Sequence, residues 1–571
     1  MSISFKDALM RETKYTTTEN GARSLATSQP DELKEQVNGR VSLFFKTTRD
    51  LLKNVPQLQL YLTEAWSENP LDVLKLVFHL RDCRGGKGER DLFRACCRWL
   101  LDSGKEEFLH CNLELVPEFG RWDDLMFCGP KGYEVLAERL VEDFFIVQHW
   151  LNRDSTEEKD VPTKRPTISM ASKWACRLPK GSDSVTKKKK RISETHSTIK
   201  AINQYLKRTN KAKFTNESDQ RKIFGRTVIR EAEYRKMLGS CSRHLELLEL
   251  LMCEQRFGDI DFNTVPSCAM HLYGKNHIKG GKAGSFLRNQ QERFTQWRDG
   301  LEKGVDSEGK KVKVNASQLY VHSLVAEYQT HAKPLDKVVE AQWKELVRLS
   351  REKGEFSALC CPDVSGSMTM NLIESKIRPM DVAIALGIFC SELSTGPFHN
   401  MLITFSSNPV AHHLNDSMSL YDKVKSVSLM DWGGSTNIQG VWNLILNTAV
   451  HHRVEAKDMP KMIIIPSDMQ WNVGARENSD TNHEVMKRKY QEAGYELPVV
   501  VYWNLSGSTQ KQNDYPVSAL ENGTVLLSGF STSLLKNLIE CPRDVTPWRV
   551  IQNTVLNAER YSRVCLPGGV V

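Results

Sequence analysis

The chain has 571 residues, is 40% hydrophobic, 26% charged and 8% aromatic, and carries a formal net charge of +8. That length predicts about two to four domains, and no stretch approaches the roughly 18 consecutive apolar residues of a membrane helix. The first ten residues lack the basic start and apolar core of a secretory signal, so an intracellular protein, cytoplasmic or nuclear, with no membrane partner is expected.

Charge is unevenly held. Residues 356–571 contain 17 Lys and Arg against 20 Asp and Glu, which leaves 61 against 50 in residues 1–355. The basic excess therefore sits in the first part, and it points to a polyanionic partner there. The 14 cysteines are scattered, with no Cys-x-x-Cys spacing. That excludes the common zinc motifs and favours reduced, buried thiols.

Residues 1–40 are polar and read as a loose lead-in. From Val41 to residue 355 apolar residues recur at helical spacing, for example Val73, Leu74, Val77 and Leu80, and predict an all-helical region. Helix pairs joined by short loops suggest an irregular helical repeat of HEAT type. Within it, Arg81-Asp82-Cys83-Arg84-Gly85-Gly86-Lys87-Gly88-Glu89-Arg90 forms a glycine-rich basic turn. It lacks the phosphate-loop spacing and follows a helix where a phosphate loop follows a strand. Two readings stay open: a tight turn with solvated charges, or a phosphate-backbone contact through Arg81, Arg84, Lys87 and Arg90.

A basic insert near 180–236 opens with Lys187, Lys188, Lys189, Lys190 and Arg191. Residues 187–236 hold 16 Lys and Arg against 5 Asp and Glu. Such a run is commonly solvated and flexible. It also fits a nuclear-import signal or a nucleic-acid contact, and the interleaved Tyr205, Phe214, Phe224 and Tyr234 suit stacking on single strands.

The character changes at Phe356. Strand-like runs at 356–361, 401–405, 462–466, 498–502 and 524–528 alternate with helical segments at 379–394, 437–450, 480–493 and 531–539. This alternation predicts a doubly wound α/β domain over 356–540, with the tail 541–571 packing back on one of the domains. The fold class is thus α + α/β. The first strand run leads into Asp363-Val364-Ser365-Gly366-Ser367, and the run at 462–466 ends in Ser467-Asp468. A glycine-rich loop, Gly433-Gly434-Ser435-Thr436, precedes the helix at 437–450. Ligands gather at the carboxyl ends of parallel strands. Asp363, Ser365, Ser367, Thr436 and Asp468 offer only oxygen donors, the choice of a hard cation such as Mg²⁺, or of Mn²⁺ or Ca²⁺.

This pattern resembles the metal-ion-dependent adhesion site of von Willebrand factor A domains, with all five positions filled. A helical region followed by such a domain is similar in architecture to the Ro autoantigen, or TROVE-module, proteins. Closer still is the family called domain of unknown function 2828. Its loop motifs are similar to the stretch from Phe78 to Arg90, to Pro117-Glu118-Phe119-Gly120-Arg121-Trp122-Asp123-Asp124 and to Trp503-Asn504-Leu505. The Ro resemblance implies a ring of helices closed by the A domain, with single-stranded RNA ends in the hole and structured RNA on the basic outer face.

The expected function is a non-catalytic, metal-dependent binding scaffold, with RNA on the helical part and an acidic protein partner at the metal. A protein–protein adaptor without nucleic acid is the alternative. A metal-dependent phosphoesterase is the third reading. Such sites commonly use more carboxylates or paired metals, and no His–Asp set accompanies Asp363. Neither His412-His413 nor His451-His452 suits a paired ligand role, because neighbours on a strand face opposite ways.

Overall fold

The computed structural model describes residues 15–17, 23–25, 38–152, 165–179, 184–209, 228–274, 285–329, 334–369, 377–404, 409–430, 437–470, 481–505, 516–517, 520–538 and 543–568. The chain divides into two compact units, one of residues 1–92 with 261–563 and one of 93–260 with 564–571. Among the described residues no helix is long and apolar enough to cross a membrane. The first described residues, where the sequence suggests a loose lead-in, pair as a short antiparallel ladder of β1 (Tyr15–Thr17) and β2 (Arg23–Leu25).

In the first unit the N-terminal helices are α1 (Asn38–Lys46), α2 (Val55–Glu68) and α3 (Pro70–Arg81). Asn54 and Asn69 cap α2 and α3 by accepting from the amides of Gln57 and Asp72, and each helix has a proline in its first turn. Both features are standard helix-start chemistry. The second unit is helical, built on α4 (Gly129–Asn152), α5 (Val185–Thr209) and α6 (Glu231–His244). Buried Asp143 of α4 accepts from the Ser169 amide, and the Tyr234 hydroxyl of α6 donates to the Cys176 carbonyl at 2.8 Å. These bonds fix the segment 165–179 to the helices.

The rest of the first unit holds α7 (Val321–Gln329), α8 (Lys337–Arg351) and the α/β part. Its six strands are β3 (Leu359–Cys360), β4 (Met401–Thr404), β5 (Val410–His413), β6 (Met462–Ser467), β7 (Val499–Asn504) and β8 (Thr524–Ser528). They lie in the order β5-β4-β3-β6-β7-β8, with all neighbours parallel except β5, which runs antiparallel to β4. Chain order reverses at β3, which has β4 on one side and β6 on the other. This is the doubly wound arrangement, whose ligands bind in the crevice beyond the strand ends at the reversal.

Burial explains which strands read clearly. Every residue of β6, β7 and β8 is buried, so each is an apolar run with polar residues only at its ends, Ser467, Asn504, Thr524 and Ser528. The predicted strand at 356–361 narrows to two residues plus a bridge from Phe356 to Ser394. Pro362 follows it and can donate no ladder bond. The strand β5 and the helix α9 (Leu420–Ser428) lie where the sequence pattern predicts neither. His412 and His413 stand on that edge strand, His412 half-buried and His413 exposed.

The helices on the sheet are α10 (Pro379–Leu393), α11 (Ile438–His452) and α12 (Asn482–Glu492). Nearly all of α10 is buried, from Val382 to Leu393, because it is packed against the sheet on one side and against α7, α8 and α9 on the other. A helix covered all round is apolar all round. At the carboxyl ends of β7 and β8 lies α1, whose Phe44 and Phe45 carbonyls accept from Ser528 Oγ at 2.9 Å and Asn504 Nδ2 at 3.3 Å.

Candidate metal centre

Pairing between β3 and β6 continues past the end of β3. The Cys361 amide donates to the Ile464 carbonyl at 2.8 Å and the Asp363 amide to the Pro466 carbonyl at 3.0 Å. Asp363 is thereby held beside the end of β6, and its side chain is fully buried. One carboxylate oxygen accepts from the Ser365 amide at 2.9 Å, closing a tight turn. The other accepts from the Ser467 hydroxyl at 2.5 Å. That hydroxyl in turn accepts from the Met469 amide at 3.0 Å, and Met469 sits at φ 67°, so the chain bends sharply as it leaves β6.

The hydroxyls of Ser365 and Ser367 lie 3.1 Å apart, on a turn that continues into a short 3-10 segment, Gly366–Thr369. Met368 is buried beneath it. Asp468 is buried next to Ser467 and accepts from the Gln470 amide at 3.2 Å. Thr436 lies outside the described residues. Asn437, which follows it, caps α11 by accepting from the Gly440 amide at 2.9 Å.

The structure thus brings Asp363, Ser365 and Ser367 together at one strand end and sets Asp468 at the next. Ser467 links the two ends, and sequence reasoning passed over it; the signal available was its position one residue before Asp468 in an apolar strand. The donors are all oxygen, the type a hard cation takes. Among the described residues no group of three or more His, Cys, Asp and Glu side chains forms a metal-ligand cluster. The candidate set has two carboxylates, with hydroxyls making up the rest. Burial pushes the Asp363 carboxyl up, and the hydrogen bonds from Ser467 and Ser365 oppose that rise. A buried carboxylate in this position gains from a neighbouring cation.

The turn is supported from below by α10. A Cβ on Gly387 would stand 3.0 Å from Cγ of Pro362, the residue before Asp363. Gly387→Ala gains about 1 kcal/mol of helix propensity and loses a similar amount to crowding. Gly387→Val has no such offset and costs about 1–3 kcal/mol. Urea denaturation checks this: the valine variant should unfold at lower urea than the wild type.

The glycine-rich basic turn has a structural role, which corrects the phosphate-contact reading for two of its four cations. Lys87 is buried, and its ammonium donates to the carbonyls of Phe44 and Thr47 and to Ser528 Oγ, the last at 2.6 Å. Arg81 is also buried. Neither can reach a nucleic-acid backbone here. Arg84 and Arg90 are exposed, and Arg90 pairs with Asp91 at 3.1 Å.

The glycines serve close packing. A Cβ on Gly86 would fall 2.0 Å from the His79 carbonyl oxygen. Buried Asp82 accepts from the amides of Arg84 and Gly85, from Arg560 and from the Tyr561 hydroxyl. Burial alone would raise its carboxyl, but the Arg560 bond and the two amides outweigh that and hold it below the ordinary carboxylate range.

The run Lys187–Arg191, far from being irregular, forms the first turns of α5. Lys187, Lys189 and Lys190 are exposed, and Lys188 and Arg191 are half-buried. Lys190 lies 5.1 Å from the centre of the Phe127 ring and 3.8 Å from Glu194.

The model of "Domain of unknown function (DUF7788)" matches residues 357–555. That of "Domain of unknown function (DUF2828)" matches residues 18–126 and 133–356. The chain is 30% identical over 547 residues to "Uncharacterized protein L728" of Acanthamoeba polyphaga mimivirus, covering 91% of this chain and 83% of that protein. Among solved structures it aligns with the crystal structure of the Deinococcus radiodurans RO (RSR) protein over 90% of this chain and 94% of that one. Identity there is 14% and the TM-score 0.31, too low to equate the two folds. With more than half of its length matched by one family model and a relative aligned along most of its length, this chain belongs to the DUF2828 family.

Proposed function

We propose that this protein is a non-catalytic, metal-assisted binding scaffold whose α/β part is a von Willebrand factor A-like domain and whose helical part binds RNA. Asp363, Ser365, Ser367 and Asp468, completed by Thr436, would hold a divalent cation of the Mg²⁺ type, with Mn²⁺ or Ca²⁺ as substitutes. The observation that carries this reading is the hydrogen bond from Ser467 to Asp363 across β3 and β6, which ties both strand ends to the serine pair. Two carboxylates only balance a divalent charge, so a bound ion stays electrophilic and favours an acidic ligand from a partner protein. Among the described residues the set is all oxygen, with no histidine and no second carboxylate pair beside it, a composition that suits binding better than hydrolysis.

For RNA the support is the exposed basic start of α5 and the charge excess of residues 1–355. Each backbone phosphate neutralised on a single strand contributes about −0.7 to the slope of log K against log salt. Five cations at 187–191 then supply a slope of roughly −2 to −3.5. Titrating a single-stranded RNA pool across a salt series should give such a slope. Replacing Lys187, Lys188, Lys189 and Lys190 by alanine should remove most of it. Binding without salt dependence, or none at all, would end the RNA half and leave the protein-adaptor reading.

A further inference from the structure

The start of α5 carries a hydroxyl that the binding function does not use. Residues 187–193 read Lys-Lys-Lys-Lys-Arg-Ile-Ser, so Ser193 follows five consecutive cations with one residue between. Ser193 is exposed, and among the described residues its hydroxyl makes no hydrogen bond. We propose that Ser193 is a phosphorylation site for a serine/threonine kinase that selects basic residues before its acceptor, and that the phosphate weakens the grip of this helix on polyanions. The second half rests on the RNA reading above; the first half does not.

A kinase takes its substrate extended, so the helix must open at this point. Its packing allows that. From Thr195 onward α5 buries a stripe of Thr195, Thr198, Ile199, Ile202, Tyr205 and Leu206. Upstream the same stripe is continued by Lys188 and Arg191, half-buried, and Val185 is 70% exposed. The first turns therefore bury little apolar surface. They also have no acidic residue in the first turn and a block of cations beside it. Cations at a helix N-terminus oppose the macrodipole. A segment with few buried contacts and an unfavourable terminus opens at low cost.

Neighbouring hydroxyls lack the signal. Ser184 and Thr186 precede the cations, and Ser197 stands six residues beyond Arg191. In the reaction the γ-phosphoryl group of ATP passes to Ser193 Oγ. The Oγ–P bond forms, the bond from the γ-phosphorus to the bridging oxygen breaks, ADP leaves, and the hydroxyl proton goes to the base of the kinase. On the helix the phosphate lies one turn from Lys189 and Lys190, at the i−4 and i−3 positions, where opposite charges meet. It carries about −1.5 to −2 charges at neutral pH. Two cations are thereby withdrawn from RNA.

The test uses the full-length protein with a basophilic kinase and ATP, followed by mass-spectrometric site mapping. Incorporation at Ser193, absent from Ser193→Ala, is the expected result. If a free peptide of residues 184–197 is modified but the intact protein is not, the helix stays closed and the proposal falls. The phosphorylated protein is then titrated with single-stranded RNA, and its log–log salt slope should be shallower by about 1 to 1.5. An unchanged slope overturns the regulatory half. Absence of RNA binding by the unmodified protein counts against the function proposed above, while site mapping still decides Ser193 alone.

Discussion

Mg²⁺ or Mn²⁺ at the proposed centre should raise the unfolding temperature of the wild-type chain, and Asp363→Asn should abolish that rise. An ion at a hundred times its Kd stabilises a folded protein by about 2.7 kcal/mol, and the variant should lose nearly all of that. The substitution keeps the shape of the turn. The asparagine oxygen can still accept from the Ser365 amide, while its amide faces the Ser467 hydroxyl that now donates to the carboxylate. Without added metal its cost should stay near 1–2 kcal/mol, in the range of one buried hydrogen bond changed. Asp363→Ala leaves both donors without an acceptor and should cost about 1–3 kcal/mol more. The measurement is thermal unfolding of all three proteins across a metal titration. An equal response in wild type and Asp363→Asn would place any bound ion elsewhere and remove the basis for the metal-assisted scaffold.

Lys87→Ala should destabilise the first unit by about 3–5 kcal/mol, because it leaves the buried Thr47 carbonyl without its donor, strips the Phe44 carbonyl of one of its two donors and opens a cavity. Lys87→Met fills the volume and should cost about half as much. Neither should change the salt slope of RNA binding under conditions where the protein is folded, in contrast to the alanine variants at 187–190. Burial pulls the Lys87 ammonium from 10.5 down to about 7, with Glu89 opposing. Between those values the folded chain has given up a proton that the unfolded chain retains. The unfolded state binds more protons, so stability from this group rises with pH over that window. Urea midpoints from pH 7 to 10 should climb more steeply for wild type than for Lys87→Met. Parallel profiles would show that Lys87 does not titrate there.

Local pattern and tertiary context divide the two cases. Asp363, Ser365 and Ser367 are three residues of one turn, and a strand buried on both faces, such as Met462–Ser467, declares itself as an apolar run. The turn and the strand ahead of Asp468 are therefore legible in the residues alone. The edge strand Val410–His413 is not. It is exposed along most of its length, and Val-Ala-His-His has no alternation to betray it. For Lys87 the basic, glycine-rich composition points toward phosphate. Its three acceptors lie 43 and 40 residues before it and 441 after it, and no window of sequence contains them.

By itself the sequence determined the five parallel strands of the α/β part, the change from helices to alternating strands at residue 356, and the oxygen-only donor set of the candidate centre. Those properties follow from local periodicity and from residue types a few positions apart. Only the tertiary structure decided that β3 lies between β4 and β6, that Ser467 bridges the two strand ends, and that the cations at 81 and 87 are buried while most of those at 187–191 are exposed. Strand order and burial depend on contacts between residues hundreds of positions apart, and a charge becomes a structural group or a binding group according to which of those contacts enclose it.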